Sequence, residues 1–270
     1  MIDRRLTPAN ARVAAMHLAG QVAAAAFVTG WPMMVMRPVV DLCATAGGAR
    51  DRQLLLGAIV TVFEDHAGWS FVQAVDGYVG YVLTDQLGTR HTPTHFVATP
   101  ASHAYAEEDI KSRDLMALPL GARVLVTDER RKFFETSVGF VPKRHLRPLD
   151  QPFSDPVTVA QMHFGVPYLW GGNSTRGIDC SGLVAASLHA CNIPCPADSD
   201  MQQVLGQSVD SDLMRGDLVF WRGHVGMMVD AMTLIHANAH HMATAYEPIA
   251  NAVLRIEAQG GGAVVARRRL

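Results

Sequence analysis

Residues 168–194, YLWGGNSTRGIDCSGLVAASLHACNIP, decide the fold class of the second half of the chain. A glycine-rich run leads into Asp179-Cys180-Ser181-Gly182, and small and apolar residues follow at helical spacing. This pattern predicts that Cys180 lies at the N-terminal end of a helix. The helix dipole and the free backbone N–H groups at such an end favour a thiolate and lower the pKa of a cysteine. Cys180 is therefore a candidate nucleophile.

Two histidines further along the chain complete a candidate catalytic group. The segment RGDLVFWRGHVGMMVD contains an apolar strand, a turn and His224 at the start of a second strand, and MTLIHANAHH places His236 late in a third. The second and third strands are joined through Asp230-Ala231, which predicts a hairpin with His224 and His236 as neighbours. A cysteine, a histidine base and a third polar group that orients the imidazole form the arrangement used in nucleophilic catalysis.

The composition is that of an ordinary folded protein. The chain has 270 residues, of which 49% are hydrophobic and 18% charged, with a formal net charge of -2. It is long enough for two or three small domains. Its short charged runs predict neither a nucleic-acid nor a membrane partner. Arg12, His17 and Gln21 interrupt the N-terminal alanine-rich run, which is unlike a signal peptide, so we expect a cytoplasmic protein. We also expect a monomer.

The predicted secondary structure changes along the chain. Residues 1–32 are predicted to be helical, with Thr7-Pro8 as cap and first turn. Residues 33–89 and 90–150 each contain short β-rich runs between turn residues, which favours small barrels. The second run repeats the first: LLLGAIVTVFEDHAGWSFVQAVDGYVGYVLTDQL is echoed by LPLGARVLVTDERRKFFETSVGFVPKRHL, which indicates an internal duplication. A proline-rich linker then leads into a separate domain at residues 151–270.

Both copies of the repeat resemble bacterial SH3-type barrels, the first more closely through Gly68-Trp69 and the run DGYVGYV. The motifs PYLWGGNSTRGIDCSGLV, RGDLVFWRGHVGMMVD and LIHANA resemble the NlpC/P60 family of cysteine peptidases. The expected fold is therefore α+β: a papain-like NlpC/P60 catalytic domain preceded by two small SH3-like β-barrels and a short N-terminal helix.

The whole arrangement resembles the cytoplasmic γ-D-glutamyl-L-diamino acid endopeptidases that recycle murein peptides. This resemblance implies hydrolysis of the γ-D-Glu–L-diamino acid bond in a murein tripeptide or tetrapeptide with a free N-terminal L-Ala, without a cofactor. One alternative is a hydrolase of polymeric peptidoglycan stems. Another is a murein-peptide binding module with a vestigial catalytic core, which the intact cysteine and histidine positions disfavour.

The resemblance also assigns roles to residues of the catalytic domain. It makes Cys180 the nucleophile, His224 the general base and acid, and His236 the orienting residue. The backbone N–H of Cys180 and the side chain of Tyr168 are candidates for stabilising the oxyanion, a large contribution in acyl transfer. Trp170 is similar to the tryptophan that walls the substrate groove of the family.

The remaining expected substrate-site residues are acidic or hydroxylated. Asp179 is a motif residue whose role is positional. The segment PADSDMQQ resembles the family segment that places Asp198 and Ser199 in the substrate pocket, with Ala197 where the family has arginine. In the first SH3-type domain, Asp51 and Tyr78 match the acidic residue and the tyrosine that close over the amine of L-Ala. A buried ammonium requires carboxylate partners, here Asp51 and Asp198.

The other three cysteines are expected to be structural, with Cys191 on the core side of the cysteine helix. A zinc site is the competing chemistry, and its candidate ligands are Cys191, Cys195, His236, His240 and His241. The spacing around Pro194 matches no zinc signature, so we expect no metal.

Overall fold

The structure, a computed structural model, describes residues 3–270. The chain divides into two compact units, the first ending at residue 149 and the second comprising residues 98–100 and 150–270. Within the described residues, no helix combines the length and apolar character needed to cross a membrane.

The first part of the chain is extended, so the predicted N-terminal helix is wrong. Residues 1 and 2 of that predicted segment lie outside the described residues. The segment contains 3-10 helices at Arg4–Leu6 and Met16–Leu18 and the parallel strands β1 (Val13–Ala15) and β2 (Ala26–Val28).

Tertiary packing explains the extended conformation. Ala15 is buried in a cluster with Phe63 and Phe71, and the Nε of Arg12 lies 2.6 Å from Oε1 of Glu64. The helical preference of alanine is at most about 1 kcal/mol per residue, which such contacts outweigh.

The rest of the first unit contains two similar series of short strands, the first and second copies of the predicted repeat, with seven and eight strands respectively. The first copy contains β3 (Trp31–Val35), β4 (Val39–Cys43), β5 (Arg50–Leu55), β6 (Ile59–His66), β7 (Trp69–Ala74), β8 (Val79–Leu83) and β9 (Leu87–Gly88). The second contains β10 (His95–Val97), β11 (Ala101–Tyr105), β12 (Asp114–Pro119), β13 (Arg123–Val124), β14 (Val126–Glu129), β15 (Phe133–Thr136), β16 (Gly139–Pro142) and β17 (Leu146–Pro148). A 3-10 turn precedes the last strand of each copy, at Thr84–Gln86 and Lys143–His145.

The sheets of these copies are open, unlike the closed barrels that the sequence suggests. The first copy is one sheet in the order β5-β4-β8-β7-β6-β3-β9, and the second is split into β12-β11-β16-β15-β14 and β13-β10-β17. The register shifts between Leu42 and Cys43 and between Val62 and Glu64 in the first copy. Such bulges bend short strands and interrupt a continuous ladder.

The repeated Leu-x-Leu-Gly sequence forms the same turn in both copies. The N–H of Gly57 donates to the carbonyl of Val35 and that of Gly121 to the carbonyl of Val97, both at 2.9 Å. Both glycines adopt a positive φ, +80° for Gly57 and +86° for Gly121. Only glycine adopts this conformation without strain, so it is required at both positions.

The second unit is an α+β domain built on one antiparallel sheet. Its helices are α1 (Pro156–Gln161), α2 (Cys180–Ala190), α3 (Ser199–Gln202) and α4 (Ile249–Ala258). Its strands are β18 (Asn173–Ser174), β19 (Gly177–Ile178), β20 (Gln207–Ser208), β21 (Leu218–Trp221), β22 (His224–Met228), β23 (Thr233–Asn238), β24 (Ala243–Pro248) and β25 (Ala266–Arg269). The sheet order is β20-β25-β21-β22-β23-β24.

Two apolar clusters pack the helices of the second unit against this sheet. Val184 and Leu188 of α2 join Phe220 of β21 in one fully buried cluster. Leu234 of β23 joins Ile256 of α4 in another. The helix that carries Cys180 and the helix α4 are therefore each anchored to the sheet through their own hydrophobic core.

The paired glycines give a test of the duplicated turn. We expect Gly121→Ala to lower the free energy of unfolding by about 1–2 kcal/mol, because φ is positive and the added Cβ would meet only Leu55, at 3.4 Å. We expect a larger loss for Gly57→Ala, since its Cβ would meet the carbonyl oxygen of Arg123 at 2.4 Å. Urea denaturation of both variants measures the difference, and equal losses would contradict the steric argument.

Candidate active site

Cys180 is the first residue of α2, as the sequence predicts, and Asp179 caps that helix. Oδ1 of Asp179 accepts from the N–H of Gly182 at 2.7 Å and from the hydroxyl of Ser181 at 3.1 Å. An aspartate at this position satisfies backbone donors that the helix leaves free. The hydrogen bonds of Asp179 therefore indicate that it positions Cys180 rather than binding substrate.

The same carboxylate fixes the glycine-rich turn beside the helix. Oδ2 of Asp179 accepts from the N–H of Gly171 at 2.8 Å. The turn approaches the helix so closely that a Cβ on Gly182 would lie 2.2 Å from the carbonyl oxygen of Gly172. The glycine of the Asp-Cys-Ser-Gly motif is thus required by backbone contact, and the turn and the helix start form one rigid piece.

The thiol of Cys180 is neutral in the substrate-free protein. Cys180 is 8% exposed, and burial raises the pKa of its thiol to about 12, with a further contribution from the Asp179 carboxylate. The backbone N–H groups of Val225 and Ser181 oppose that rise without cancelling it. The position of Cys180 at a helix start predicts a lowered pKa instead. That prediction is wrong because desolvation makes the largest contribution to the pKa of this thiol.

His224 and His236 are adjacent across the predicted hairpin of β22 and β23. Nε2 of His224 lies 2.9 Å from Nδ1 of His236. Burial is the main cause that lowers the pKa of His224 to about 4 and that of His236 to about 3. Both imidazoles are therefore neutral at physiological pH and available as proton acceptors or donors.

His236 has a further partner that the sequence analysis missed. Oε2 of the buried Glu247 lies 3.0 Å from Nε2 of His236, and Arg255 of α4 contacts the same carboxylate. The sequence offered one signal, an acidic residue in the strand that follows the histidine strand. Its distance of 11 positions from His236 gave no reason to pair them.

Tyr168 and Trp170 precede the cysteine helix. Tyr168 is partly buried against the core that contains Cys180. Burial, with the nearby Cys180 and Asp179, raises the pKa of Tyr168 to about 12, so its phenol keeps its proton and is a hydrogen-bond donor. Trp170 is 70% exposed, as a residue that contacts an incoming ligand would be.

Asp198 and Ser199 lie at the start of α3. Ser199 is buried, and the charge of Asp198 contributes to raising the pKa of Asp179, which places Asp198 near the helix cap. Gln202, for which the sequence analysis gave no separate role, is fully buried and donates from Nε2 to the carbonyl of Ser181 at 3.0 Å. It is the last residue of the Asp-Ser-x-x-Gln segment and fixes α3 to the first turn of α2.

Asp51 and Tyr78 both belong to the first unit. Oδ2 of Asp51 accepts from the guanidinium of Arg4 at 2.9 Å. Tyr78 is 2% exposed, and the guanidinium of Arg52 lies over its ring at 5.5 Å. The carboxylate expected to bind an ammonium therefore already contacts a cation of the chain itself.

The other three cysteines are free thiols that differ in burial. Cys43 and Cys195 are buried, as expected, whereas Cys191 is only partly buried and forms the C-cap of α2. His236, His241 and Glu247 each place one potential ligand atom within 4.8 Å of the others. Both oxygens of Glu247 already accept hydrogen bonds from Arg255. This contact favours a salt bridge with arginine over a bound metal at this cluster.

Comparisons with known proteins agree with this geometry. A sequence model of the NlpC/P60 family matches residues 165–255. A model described as the bacterial dipeptidyl-peptidase SH3 domain matches residues 42–87. The first match contains Cys180, His224 and His236, and the second contains Asp51 and Tyr78.

Individual relatives and one solved structure cover between a third and nearly nine tenths of the chain. The gamma-D-glutamyl-L-lysine dipeptidyl-peptidase of Bacillus cereus is 27% identical, over 73% of this chain and 69% of that protein. The probable endopeptidase NlpC of Escherichia coli is 33% identical, over 34% of this chain and 70% of that protein. The crystal structure of an NlpC/P60 family protein from Bacillus cereus has a TM-score of 0.74 at 20% identity and covers 88% of this chain and 99% of that one.

The neutral thiol is testable by alkylation. In the substrate-free protein, we expect the rate at which iodoacetamide modifies Cys180 to rise about tenfold per pH unit through the neutral range, because only the thiolate reacts. Asp179→Asn keeps a capping side chain but removes a charge that raises the pKa, so it should react faster. Mass spectrometry of the modified peptides resolves Cys180 from Cys191. A rate that is flat at acidic and neutral pH would instead indicate a preformed thiolate–imidazolium pair.

Proposed function

The chain belongs to the NlpC/P60 family, and from that premise we propose that it is a cysteine peptidase that hydrolyses the γ-D-Glu–L-diamino acid bond of short murein peptides. The observation that carries the proposal is that the buried thiol of Cys180, at a capped helix start, interacts with the backbone N–H of Val225. Val225 follows His224, whose ring is hydrogen-bonded to that of His236. This is a nucleophile, a base and an orienting group in one site.

Acylation starts from the neutral state. His224 takes the proton from Cys180 as the sulfur bonds to the carbonyl carbon, and the π electrons of the carbonyl move to its oxygen. The backbone N–H of Cys180 and the phenol of Tyr168 stabilise that oxyanion. When the tetrahedral intermediate collapses, the carbon–nitrogen bond breaks and His224 gives its proton to the leaving amine.

Deacylation repeats these steps with water as the nucleophile. His224 takes a proton from water while the water oxygen bonds to the acyl carbon. The carbon–sulfur bond then breaks, the peptide leaves as a carboxylic acid, and the proton returns to the sulfur of Cys180. His236 holds the ring of His224 in place through both half-reactions.

The γ-D-glutamyl specificity is supported by the relative from Bacillus cereus. That protein is named for a γ-D-glutamyl-L-lysine bond, and the similarity extends over 73% of this chain. On the proposed assignment, Trp170 walls the groove and Asp198 and Ser199 contact the peptide. The same assignment gives the enzyme a cytoplasmic role in recycling cell-wall peptides.

Recognition of a free N-terminal amine is the second part of the proposal. We assign Asp51 to the ammonium of L-Ala and Tyr78 to the same recognition. The match of residues 42–87 to the bacterial dipeptidyl-peptidase SH3 domain, which contains both residues, supports this assignment. The ammonium would take the place of the Arg4 guanidinium, which lies 2.9 Å from Asp51. A charge-assisted hydrogen bond of this kind is stronger than a neutral one.

Release of a diamino acid tests the peptidase assignment. We expect the wild-type protein to liberate L-Lys or meso-diaminopimelate from the corresponding L-Ala-γ-D-Glu tripeptide, and Cys180→Ala to reduce kcat by about 10⁴- to 10⁶-fold, since the nucleophile is lost. Cys191→Ala, at the other end of the same helix, is the control and should retain activity. Binding of the tripeptide without release by the wild type would identify a binding module. Preference for intact peptidoglycan would identify a hydrolase of polymeric stems.

The amine assignment has its own test. We expect Asp51→Asn to raise KM for the free-amine tripeptide about 10- to 100-fold, through loss of a charged hydrogen bond, with kcat little changed. N-acetylation of L-Ala should impair the wild-type enzyme far more than Asp51→Asn, because the variant has already lost the interaction. Asp41→Asn, which breaks a 2.7 Å pair with Arg50 in the same unit, is the matched control. Equal effects of acetylation on wild type and Asp51→Asn would remove Asp51 from amine recognition.

A further inference from the structure

Glu247 is placed against His236 by the register of the sheet. In the ladder of β23 and β24, His236 pairs with Ala245 and Leu234 pairs with Glu247. His236 and Glu247 thus project from the same face as diagonal neighbours. Glu247 is 8% exposed and His236 is fully buried, so little water competes for the 3.0 Å contact between them.

Arg255 holds this carboxylate from the other side. Its Nε donates to Oε1 of Glu247 at 2.9 Å and its Nη2 to Oε2 at 2.7 Å. A two-point contact between a guanidinium and a carboxylate fixes the orientation as well as the charge. Arg255 is accordingly the main cause that lowers the pKa of Glu247, which is ionised at physiological pH.

The ionised carboxylate determines where the protons of both imidazoles lie. A carboxylate only accepts, so Nε2 of His236 carries a proton and Nδ1 of the neutral ring has a lone pair. Nε2 of His224, 2.9 Å from that lone pair, must then be the donor. The neutral ring of His224 consequently has its own lone pair on Nδ1, the nitrogen that remains to accept a proton.

We propose that Glu247, oriented by Arg255, is a positioning residue that fixes the tautomers of His236 and His224 and so makes Nδ1 of His224 the base. The consequence for catalysis rests on the proposed peptidase function. When the thiol proton of Cys180 reaches Nδ1 of His224, the positive charge is stabilised through His236 by the negative charge of Glu247, and neither His236 nor Glu247 needs to gain or lose a proton.

Other charged and titratable groups surround this chain of hydrogen bonds. Cys180 and its cap Asp179 lie at the start of α2 and Tyr168 lies near both. The ring of His241 is 6.3 Å from that of His236. Glu247 raises the pKa of both imidazoles and Arg255 lowers it. Removing Glu247 should therefore lower the pH at which the histidines titrate, and removing Arg255 should raise it.

The decisive experiment is ¹H–¹⁵N NMR of the full-length protein with ¹⁵N-labelled histidine, which distinguishes the two tautomers without any substrate. We expect the Nε2–H tautomer for His224 and His236 in the wild type. In Glu247→Gln, Arg255 takes the amide oxygen and the amide NH₂ donates to Nε2 of His236. Both rings should then change to the Nδ1–H tautomer, and kcat should fall about 10²- to 10⁴-fold with KM little changed.

A matched pair of the same unit serves as the control. Nε and Nη2 of Arg269 donate to the buried Asp217 at 2.8 and 2.7 Å, which reproduces the geometry of Arg255 and Glu247 away from the histidines. Asp217→Asn should lower stability yet leave both tautomers and the pH profile unchanged. A folded Glu247→Gln that retains the Nε2–H tautomers would overturn the proposal.

A second variant decides the matter if Glu247→Gln does not fold. Arg255→Met keeps the carboxylate and should retain both Nε2–H tautomers while raising the pH at which the histidines titrate. The proposal would be overturned if the histidines of this variant titrated at the same pH as in the wild type or at a lower pH. If the tautomers are as expected but the protein releases no diamino acid, only the proposed peptidase function is rejected. The tautomer proposal is unaffected, because the NMR measurement does not depend on cleavage.

Discussion

Exclusion of water from the buried group of Cys180, His224 and His236 is the constraint on which the site depends. Cys180, His224 and His236 each titrate far from their ordinary range because burial disfavours their charged forms. A site of neutral groups cannot be aligned by ion pairing between its members, so hydrogen bonds from outside must align it. Asp179 does this at the thiol end by joining the glycine turn to the helix. Glu247 does it at the imidazole end.

The sequence predicted the parts of the site that depend on local pattern. A cysteine after an aspartate at a helix start, and two histidines on strands joined by a tight turn, are readable from spacing alone, and the structure confirms both arrangements. Glu247 was not readable, because its contact depends on the register of β24. Arg255 reaches it only after α4 turns back onto the sheet. The ionisation of Cys180 was misjudged for a related reason, since burial depends on distant elements.

The same distinction applies to the first unit. The Leu-x-Leu-Gly turn is determined by its own short sequence, and both copies form it. The start of the chain was predicted as a helix with Thr7-Pro8 as cap and first turn, but Ala15 instead lies in a strand and packs with Phe63 and Phe71. The bulges in these strands cannot be predicted from hydrophobic periodicity. The roles of Asp51 and Tyr78 stay predictions.

A protonated, almost inaccessible thiol has a consequence for the chemical durability of the protein. Peroxides oxidise thiolates, and susceptibility follows both thiolate content and exposure. Cys180 is low in both, and it has no neighbouring cysteine in its helix until the C-cap, Cys191. The resting protein should therefore withstand oxidative conditions that inactivate hydrolases with low-pKa cysteines. On the proposed mechanism, the sulfur of Cys180 is open to oxidation chiefly during turnover, when its proton has moved to His224.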